Sequence, residues 1–560
     1  MTTTAPLDSA IPTRPRDPNV FPVLTPEQLS RAAGYGRKRS IDQGEVLLDV
    51  GDQALRFFVV TQGRLEIVRP AGTRQDFVME LGPGQFSGEV STLSGRPALV
   101  RIRAVAPSEV IDVDRERLLS IVQTDSELSD ILMRAFVLRR VELVARGLGD
   151  AVLVGSNHCA GTLRIREFLT RNDHPYSEID LDRDTDVQEL LDRFQVSLED
   201  IPVLICRGQV VLRNPTNQQI ADCLGFNKAI DVTKARDLVI VGAGPSGLAA
   251  AVYGASEGLD VLVVEASAPG GQAGASSKIE NYLGFPTGIS GHDLAARAHA
   301  QAQKFGAQLM VARAARQLGC ARKPFVLGID GTVEVPARAI IIATGAEYRK
   351  LAIDNLAGFE GAGVYYSATP MESQLCRGEE VIVVGGGNSA GQAAVFLAQT
   401  TKRVHMLVRS DDLARSMSRY LIRRIEQNPS ISLRLRTEVV GLQGNGHLER
   451  VTWRDMRASE VETHDIRHLF VMAGAVPNTR WLEGCVTLDG KGFIKTGADL
   501  TQEDLASAHW PLTRMPYLLE TSLPGVFAVG DVRSGNLKRV ASAVGEGSIA
   551  VALVHRVLLE

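Results

Sequence analysis

Two glycine-rich turns carry the chemistry that can be read from this chain. The first is Gly242-Ala243-Gly244-Pro245-Ser246-Gly247, between the apolar run Leu238-Val239-Ile240-Val241 and an Ala-rich helical pattern over 248–255. Strand, tight turn and helix in that order make a phosphate cradle. Gly242 permits the turn, Gly244 lets a pyrophosphate approach the backbone, and Gly247 lets the helix pack on the strand. The helix N-terminus adds unpaired N–H groups and the positive end of its dipole. A second strand, Val261-Leu262-Val263-Val264, ends in Glu265, 23 residues past Gly242. A carboxylate there accepts hydrogen bonds from ribose hydroxyls.

A second copy lies downstream. Val381-Ile382-Val383-Val384 leads into Gly385-Gly386-Gly387-Asn388-Ser389-Ala390 and another Ala-rich helix. Its next strand, 404–408, ends in Arg409, with Arg415 nearby. Arginine in that place grips a 2′-phosphate with a planar fork, where an acid suits a free ribose. The first site therefore reads as an FAD site and the second as an NADPH site rather than an NADH site. Two dinucleotide sites on one chain imply hydride transfer from nicotinamide to flavin.

The rest of the chain has to hold these turns. Its 560 residues leave room for three or four domains at roughly 150 residues each. A formal net charge of −4 invites neither nucleic acid nor an anionic membrane as partner. No uninterrupted apolar run approaches the ~18 residues that span a bilayer. Residues 1–19 carry Pro6, Pro12, Pro15 and Pro18 and no apolar signal core, so they read as a disordered tail and the protein as cytoplasmic. The six cysteines, Cys159, Cys206, Cys223, Cys320, Cys376 and Cys485, form no C-x-x-C pair and read as scattered reduced thiols.

Over 20–148, short alternating runs punctuated by Gly44, Gly51 and Gly63 argue a small β-roll, and the pattern turns helical from Asp114 to Leu148. Gly88 and Glu89 sit in Gly84-Gln85-Phe86-Ser87-Gly88-Glu89-Val90. This region resembles the cyclic-nucleotide-binding domain family, whose G-E pair opens a phosphate-binding cassette and whose Glu holds the ribose 2′-OH. The family's phosphate-binding arginine comes just after a proline, but here Ala98 succeeds Pro97. A buried phosphate would lack its main partner, with Arg96, Arg101 and Arg103 as the nearest substitutes. A regulatory or docking module, with a cyclic nucleotide or other effector, is what the resemblance implies. No helix-turn-helix comes after it.

Over 150–225, strands at 151–155, 176–181 and 201–205 alternate with helices at 162–170, 187–194 and 217–224. The order resembles the thioredoxin/glutaredoxin fold, with Pro202 where that family carries a cis-proline. The family sets two cysteines at the start of the first helix, where the dipole makes the thiolate available. Here the loop reads Ser156-Asn157-His158-Cys159-Ala160-Gly161-Thr162. Cys159 matches the nucleophile and Thr162 replaces the resolving cysteine. Such a loop forms a mixed disulfide but no internal one, so docking and catalytic roles both stay open. Cys206 and Cys223 read as core.

After a polar linker at 226–235, the chain resembles the low-molecular-weight thioredoxin reductase family to its end. Gly270-Gly271-Gln272, eight residues, then Asn281 matches the family's FAD loop. Ala343-Thr344-Gly345-Ala346 matches its return strand. Gly525-Val526-Phe527-Ala528-Val529-Gly530-Asp531-Val532 matches its second FAD signature, and Arg539-Val540-Ala541 falls where the backbone approaches the isoalloxazine. The resemblance implies a multidomain α/β protein: β-roll, thioredoxin-like domain, an FAD domain at 236–350 and 482–560, and an NADPH domain inserted at 351–481. Gly345 and Gly474 lie near the crossings and fit hinge duty. A homodimer is implied by the same resemblance.

One departure decides the chemistry. The family carries C-A-T-C before the second Rossmann strand, and here Ser367-Ala368-Thr369-Pro370 stands in its place. Ser367 and Pro370 make no disulfide. Tyr365 and Tyr366 read as core more than as flavin packing. The leading expectation is an NADPH-dependent FAD oxidoreductase of thioredoxin-reductase type, passing electrons to a disulfide or another acceptor such as a thioredoxin-like protein. The alternatives are a ferredoxin/flavodoxin–NADP reductase-like transferase, which needs no cysteines, and a redox- or ligand-sensing signalling flavoprotein.

Overall fold

The computed structural model describes residues 18–53, 56–71, 74–156, 159–181, 200–207, 209–227 and 230–560. The expected helix at 187–194 and most of the expected N-terminal tail lie outside the described residues. The chain divides into two compact units, 1–150 and 151–560.

The first unit is a β-roll capped by helices. Strands Arg37–Ile41, Ser108–Val113 and Phe57–Gln62 form one sheet, and Val46–Leu48, Arg101–Ala104, Leu65–Ala71 and Arg74–Leu81 form another. Asp114 and Asp125 each accept a backbone N–H three residues on, starting helices Arg115–Thr124 and Ser126–Ala145. The second helix plugs one end of the roll with Phe136, whose ring meets those of Phe57 and Phe86 at centroid distances of 6.1 and 6.3 Å.

In the second unit, residues 151–224 build a four-stranded sheet in the order Val210–Arg213, Val203–Cys206, Ala151–Gly155, Tyr176–Asp180. The last two strands run parallel and the other pairs antiparallel. Helix Ala160–Arg171 begins directly after Cys159, and the Ile201–Pro202 peptide is cis. This sheet is welded to the remainder of the second unit. Asn227 exchanges two 2.9 Å hydrogen bonds with the backbone of Val311, and Leu169 and Phe226 share a core with Val311 and Ala312.

The first Rossmann sheet orders its strands Gln308–Met310, Val261–Val264, Arg236–Val241, Val333–Ile342, with Val526–Ala528 returning to pair with the last of these. The second is all parallel: Val364–Tyr365, Leu469–Val471, Glu380–Val384, Arg403–Val408, Ile431–Leu435. The central strands are near-continuous apolar runs, as expected of parallel strands covered on both faces. Where the chain leaves the first sheet and comes back, Ala346–Tyr348 pairs antiparallel with Ala475–Pro477. Gly345 (φ 64°) and Gly474 (φ 72°) flank that ladder in the left-handed region.

Helix Val540–Leu559 is the one helix, among the described residues, long and apolar enough to cross a membrane by length and composition. It packs on helix Pro245–Ser256: a Cβ on Gly547 would meet the Ser246 carbonyl oxygen at 2.2 Å, so only glycine allows the approach.

The cysteines depart from the sequence expectation. Cys320 and Cys485, 165 residues apart, form a disulfide. Their Cα atoms lie 5.9 Å apart because the hairpin Ala315–Gly319, Phe325–Ile329 packs on the 3₁₀ turn Arg480–Leu482. No sequence spacing marks the pair. Cys159, Cys206, Cys223 and Cys376 stand outside this disulfide. Thiol titration of the denatured, unreduced chain should therefore count these four thiols and rise to six after reduction.

Candidate functional site

Each glycine turn is built against the carbonyl that ends a neighbouring strand. Gly242 has φ 105°, and a Cβ there would sit 2.3 Å from the Ala343 oxygen. Gly385 has φ 138°, and a Cβ there would sit 2.4 Å from the Met472 oxygen. Glycine is demanded twice over, by conformation and by space. The last positions of the two turns do different work. A Cβ on Gly247 would meet the Gly242 oxygen at 1.9 Å, and Ala390 is fully buried, so both seat a helix on its strand and neither lines the cleft.

The turns open onto one shared cavity of about 1530 Å³. That volume exceeds the roughly 300–1,000 Å³ of a single small-ligand pocket and suits two dinucleotides. On the first side, Gly242, Gly244, Pro245, Ser246 and Glu265 line it. Glu265 is half-buried: one carboxylate oxygen accepts the Ala243 N–H at 2.7 Å and the other the Ser267 N–H at 2.9 Å. Burial pushes its carboxyl above the ordinary range, and these backbone donors oppose the shift. Each oxygen keeps a second lone pair for a ribose hydroxyl.

Gly271, Gln272, Asn281, Thr344, Gly345, Asp531, Arg539 and Val540 also line the cavity. The Gln272 amide nitrogen donates to the Ala346 carbonyl. Thr344 and Asn478 exchange side-chain-to-backbone bonds of 2.9 and 3.0 Å, stitching the two crossing strands. Burial raises the Asp531 carboxyl, while Lys538 pulls it down. Gly530 does not reach the cavity. Its N–H donates to Glu546 at 2.7 Å, so it fixes the turn that presents Asp531. Ala541 likewise lies off the lining.

On the second side Gly385, Gly387, Asn388, Ser389 and Arg409 line the same cavity. Arg409 is exposed, where its fork is open to a phosphate. Arg415 corrects the sequence expectation. It lies off the lining, its side chain is 82% exposed, and it leans towards Asp412 at 3.8 Å. The next residue, Ser416, does line the cavity and donates to the Gly386 carbonyl at 2.9 Å, so only the Arg415 side chain stands off it.

Tyr348 was not marked by any sequence motif. Its phenol interacts with Ser389 of the second turn and lies near enough to Asp531 of the first site to feel its charge. Burial raises its phenol above the ordinary value. It sits in the crossing ladder, three residues past Gly345, and thus ties both cofactor sites to one side chain.

The place of the missing dithiol is also part of this cavity. Ser367, Tyr365 and Tyr366 line it, whereas Pro370 starts helix Pro370–Leu375, a favoured place for proline. Tyr365 stacks on His468 and packs on Phe470 with centroids 6.0 and 5.2 Å away, and the Tyr366 hydroxyl donates to Glu360 at 2.6 Å. Both tyrosines are thus anchored in the second Rossmann domain while one edge faces the cleft. Cys376 is inert: it is fully buried, and burial pushes its thiol up to about 12.

The helix that begins after Cys159 lines the same cavity. Ala160, Leu163, Arg164, Glu167 and Arg171 contribute, a spacing that places them on one helical face. Cys159 itself stands one residue before that lining and is half-buried. A Cβ on Gly361 would come within 3.1 Å of that of Ala160. Arg171 donates to the Gly271 carbonyl at 2.9 Å. Arg164 is held by Asn217 at 3.0 Å and Asn214 at 3.2 Å, and its charge interacts with the Cys159 sulfur. A Cβ on Gly161 would meet Pro202 at 2.9 Å, so the proline packs beside the cysteine loop. Thr162, in the resolving position, is fully buried.

In the first unit, Gly88 and Glu89 line a separate cavity of about 80 Å³. Glu89 pairs with Arg140 at 3.3 Å. Ala98 is buried on its wall, and none of Arg96, Arg101 and Arg103 lines it. Arg101 is held by Asp49 at 2.7 and 2.9 Å and Arg103 by Glu66.

Known proteins share this arrangement. Residues 236–547 match the family model for pyridine nucleotide-disulphide oxidoreductases, and residues 38–125 match that for the cyclic nucleotide-binding domain. The chain is similar to thioredoxin reductase of Treponema pallidum, 33% identical over 56% of this chain and 94% of that protein. It is 31% identical to NADPH-dependent thioredoxin reductase 3 of Arabidopsis thaliana over 63% of this chain, and spans 65% of that protein's length. The structure of Lactococcus lactis thioredoxin reductase superposes with a TM-score of 0.52 at 26% identity, covering 58% of this chain and 99% of that one.

Glu265→Ala should loosen flavin by about tenfold, the worth of a charge-assisted hydrogen bond, read as flavin retained after gel filtration. Arg409→Ala should raise the KM for NADPH about tenfold and leave that for NADH within about twofold.

Proposed function

The chain belongs to the pyridine nucleotide-disulphide oxidoreductase family, and we propose that it reduces disulfides with NADPH through a single thiol, Cys159, in place of the family's dithiol. The family uses FAD and NADPH, and the residues present fit both. The glycine turns leave room for two pyrophosphates, Glu265 keeps acceptors for a ribose, and Arg409 offers a cation for a 2′-phosphate. Bound there, the two cofactors supply a two-electron reduction, hydride passing from nicotinamide to flavin.

The protein's own residues divide the remaining work. Tyr348 interacts with Ser389 and Asp531, and both cofactor turns face the same space. Tyr365 and Tyr366 close the wall where the dithiol is missing. Cys159 caps the N-terminus of the cavity-lining helix beside Arg164. The thiolate attacks a substrate disulfide R–S–S–R, forms Cys159–S–S–R and releases RS⁻. The two electrons that NADPH and FAD would supply when bound would reduce the mixed disulfide, and the second RS⁻ would leave with the Cys159 thiolate restored. Net, R–S–S–R, NADPH and one proton give two RSH and NADP⁺. No second cysteine is required, which agrees with Thr162 in the resolving position.

One observation carries this reading: the helix started by Cys159 lines the cavity of the two cofactor turns, packed near Gly361 on the wall that Ser367 also lines. A second reading, transfer to a one-electron carrier such as ferredoxin or flavodoxin, is favoured by Ser367 and Pro370 themselves. We read the first unit as a regulatory module on the same chain.

The two readings separate in an anaerobic NADPH-oxidation assay of the full-length holoenzyme. Glutathione disulfide or an aromatic disulfide should be reduced. Cys159→Ser should lower that rate about 100-fold or more while ferricyanide reduction stays within about twofold. Equal disulfide reduction by the Cys159→Ser enzyme would sink the single-thiol role. Turnover with ferredoxin or ferricyanide alone would favour the one-electron reading.

A further inference from the structure

The cavity of the β-roll has lost the means to hold a cyclic phosphate and kept the means to hold something else. Where a phosphate arginine is expected, Ala98 and Leu99 are buried, 4% and 6% exposed. Glu89 is engaged by Arg140 at 3.3 Å, so the acceptor expected to hold a ribose hydroxyl faces an internal cation. The remaining wall is largely aliphatic and aromatic, with Phe21, Ile67, Val78, Met79 and Leu143 prominent. Such a surface rewards an apolar body and leaves sugar hydroxyls unpaired.

Two polar atoms on that wall lack a hydrogen-bond partner among the described residues, Glu89 Oε2, which faces Arg140, and Arg139 Nη2. Arg139 lines the cavity from helix Ser126–Ala145 and is only 6% exposed. Its guanidinium stacks on Phe86 at 4.7 Å and Phe21 at 5.3 Å. Nε donates to the Val20 carbonyl at 3.0 Å, and Nη1 donates to those of Phe86 and Gly88 at 2.9 Å each. Nη2 is buried and, among the described residues, has no hydrogen-bond partner. Among the same residues, no carboxylate lies within ion-pair distance of Arg139. Other charges on the wall are matched: Arg56 by Asp112, Glu89 by Arg140, Arg146 by Glu142 at 3.4 Å. Burial pushes the Arg139 guanidinium down to about 9, against the opposing charges of Glu142 and Glu89. An unsatisfied buried donor on a cation costs more than a neutral one, and an anionic acceptor in the cavity removes that cost.

We propose that the β-roll binds a small monocarboxylate with an apolar body, its carboxylate on Arg139 Nη2 and its body against the aliphatic wall, instead of a cyclic nucleotide. The cavity of about 80 Å³ sets the size: a short acyl chain or a single ring. The site lies wholly within the first unit, so the inference stands apart from the assignment of Cys159.

The test is calorimetric titration of the full-length protein with sodium hexanoate, 1-hexanol and cyclic AMP. Hexanoate should bind saturably and 1-hexanol about tenfold or more weakly, the worth of one charge-assisted hydrogen bond. Arg139→Met should abolish the preference for the acid over the alcohol. Because Arg139 also ties three carbonyls, Val100→Phe, which fills the cavity without touching those bonds, serves as the second variant and should remove binding of both. The proposal is overturned if hexanoate gives no saturable heat, if cyclic AMP binds more tightly and displaces it, or if hexanoate binds the Val100→Phe protein as it binds the parent.

Discussion

The catalytic half of this protein depends on a short antiparallel ladder. Ala346–Tyr348 and Ala475–Pro477 are the strands through which one Rossmann domain is threaded into the other, and they pair with each other across the crossing. Thr344 and Asn478 extend the pairing by side-chain bonds to backbone, and the Asn478 N–H donates to the Gly345 carbonyl at 3.1 Å. Without that register the two glycine turns would still form, each on its own sheet, but they would not share a cavity. Tyr348 sits in the ladder and interacts with both sites, so the crossing is structural and functional at once.

The turns themselves obey one constraint. Gly242 lies on the Ala343 carbonyl and Gly385 on the Met472 carbonyl, each at the end of the neighbouring strand. In a parallel sheet the carboxyl ends of adjacent strands gather on one edge, where helices begin and ligands bind. Close backbone approach there leaves no volume for a side chain and brings N–H groups to bear on a phosphate. The same packing logic places Gly547 on the Ser246 carbonyl, holding the last helix against the first of the flavin domain.

The family dithiol is absent, while both glycine turns that would hold the cofactors are in place. Ser367 and Pro370 occupy its place, and the proline opens the next helix, where its missing N–H costs nothing. The thiol at the head of the cavity-lining helix belongs to a different fold. That helix turns one face to the cavity, and its far end is bonded to Gly271. The four-stranded sheet and helix of residues 151–224 thus serve as a fixed wall of the cleft.

Much of this was legible in the residues. Gly242, Gly385, Glu265 and Arg409 sit in local strand–turn–helix patterns whose spacing is set by backbone geometry, so type and position alone imply the cradle and the ribose or phosphate partner. The absence of paired cysteines at Ser367 and Pro370 was equally plain. Other features depend on residues far apart in the chain. Cys320 and Cys485 are 165 positions apart and form a disulfide only because a hairpin packs on a distant turn. Arg415 belongs to no motif, and its side chain stands off the cavity lining while the next residue, Ser416, is on it. Tyr348, Arg139 and the cavity-lining face of the Cys159 helix gain their meaning from neighbours that no local spacing encodes. Local sequence determined which backbone shapes and which chemistries this chain carries. Tertiary packing decided which of them meet, because long-range contacts are fixed by the joint burial of many apolar surfaces and not by any one stretch.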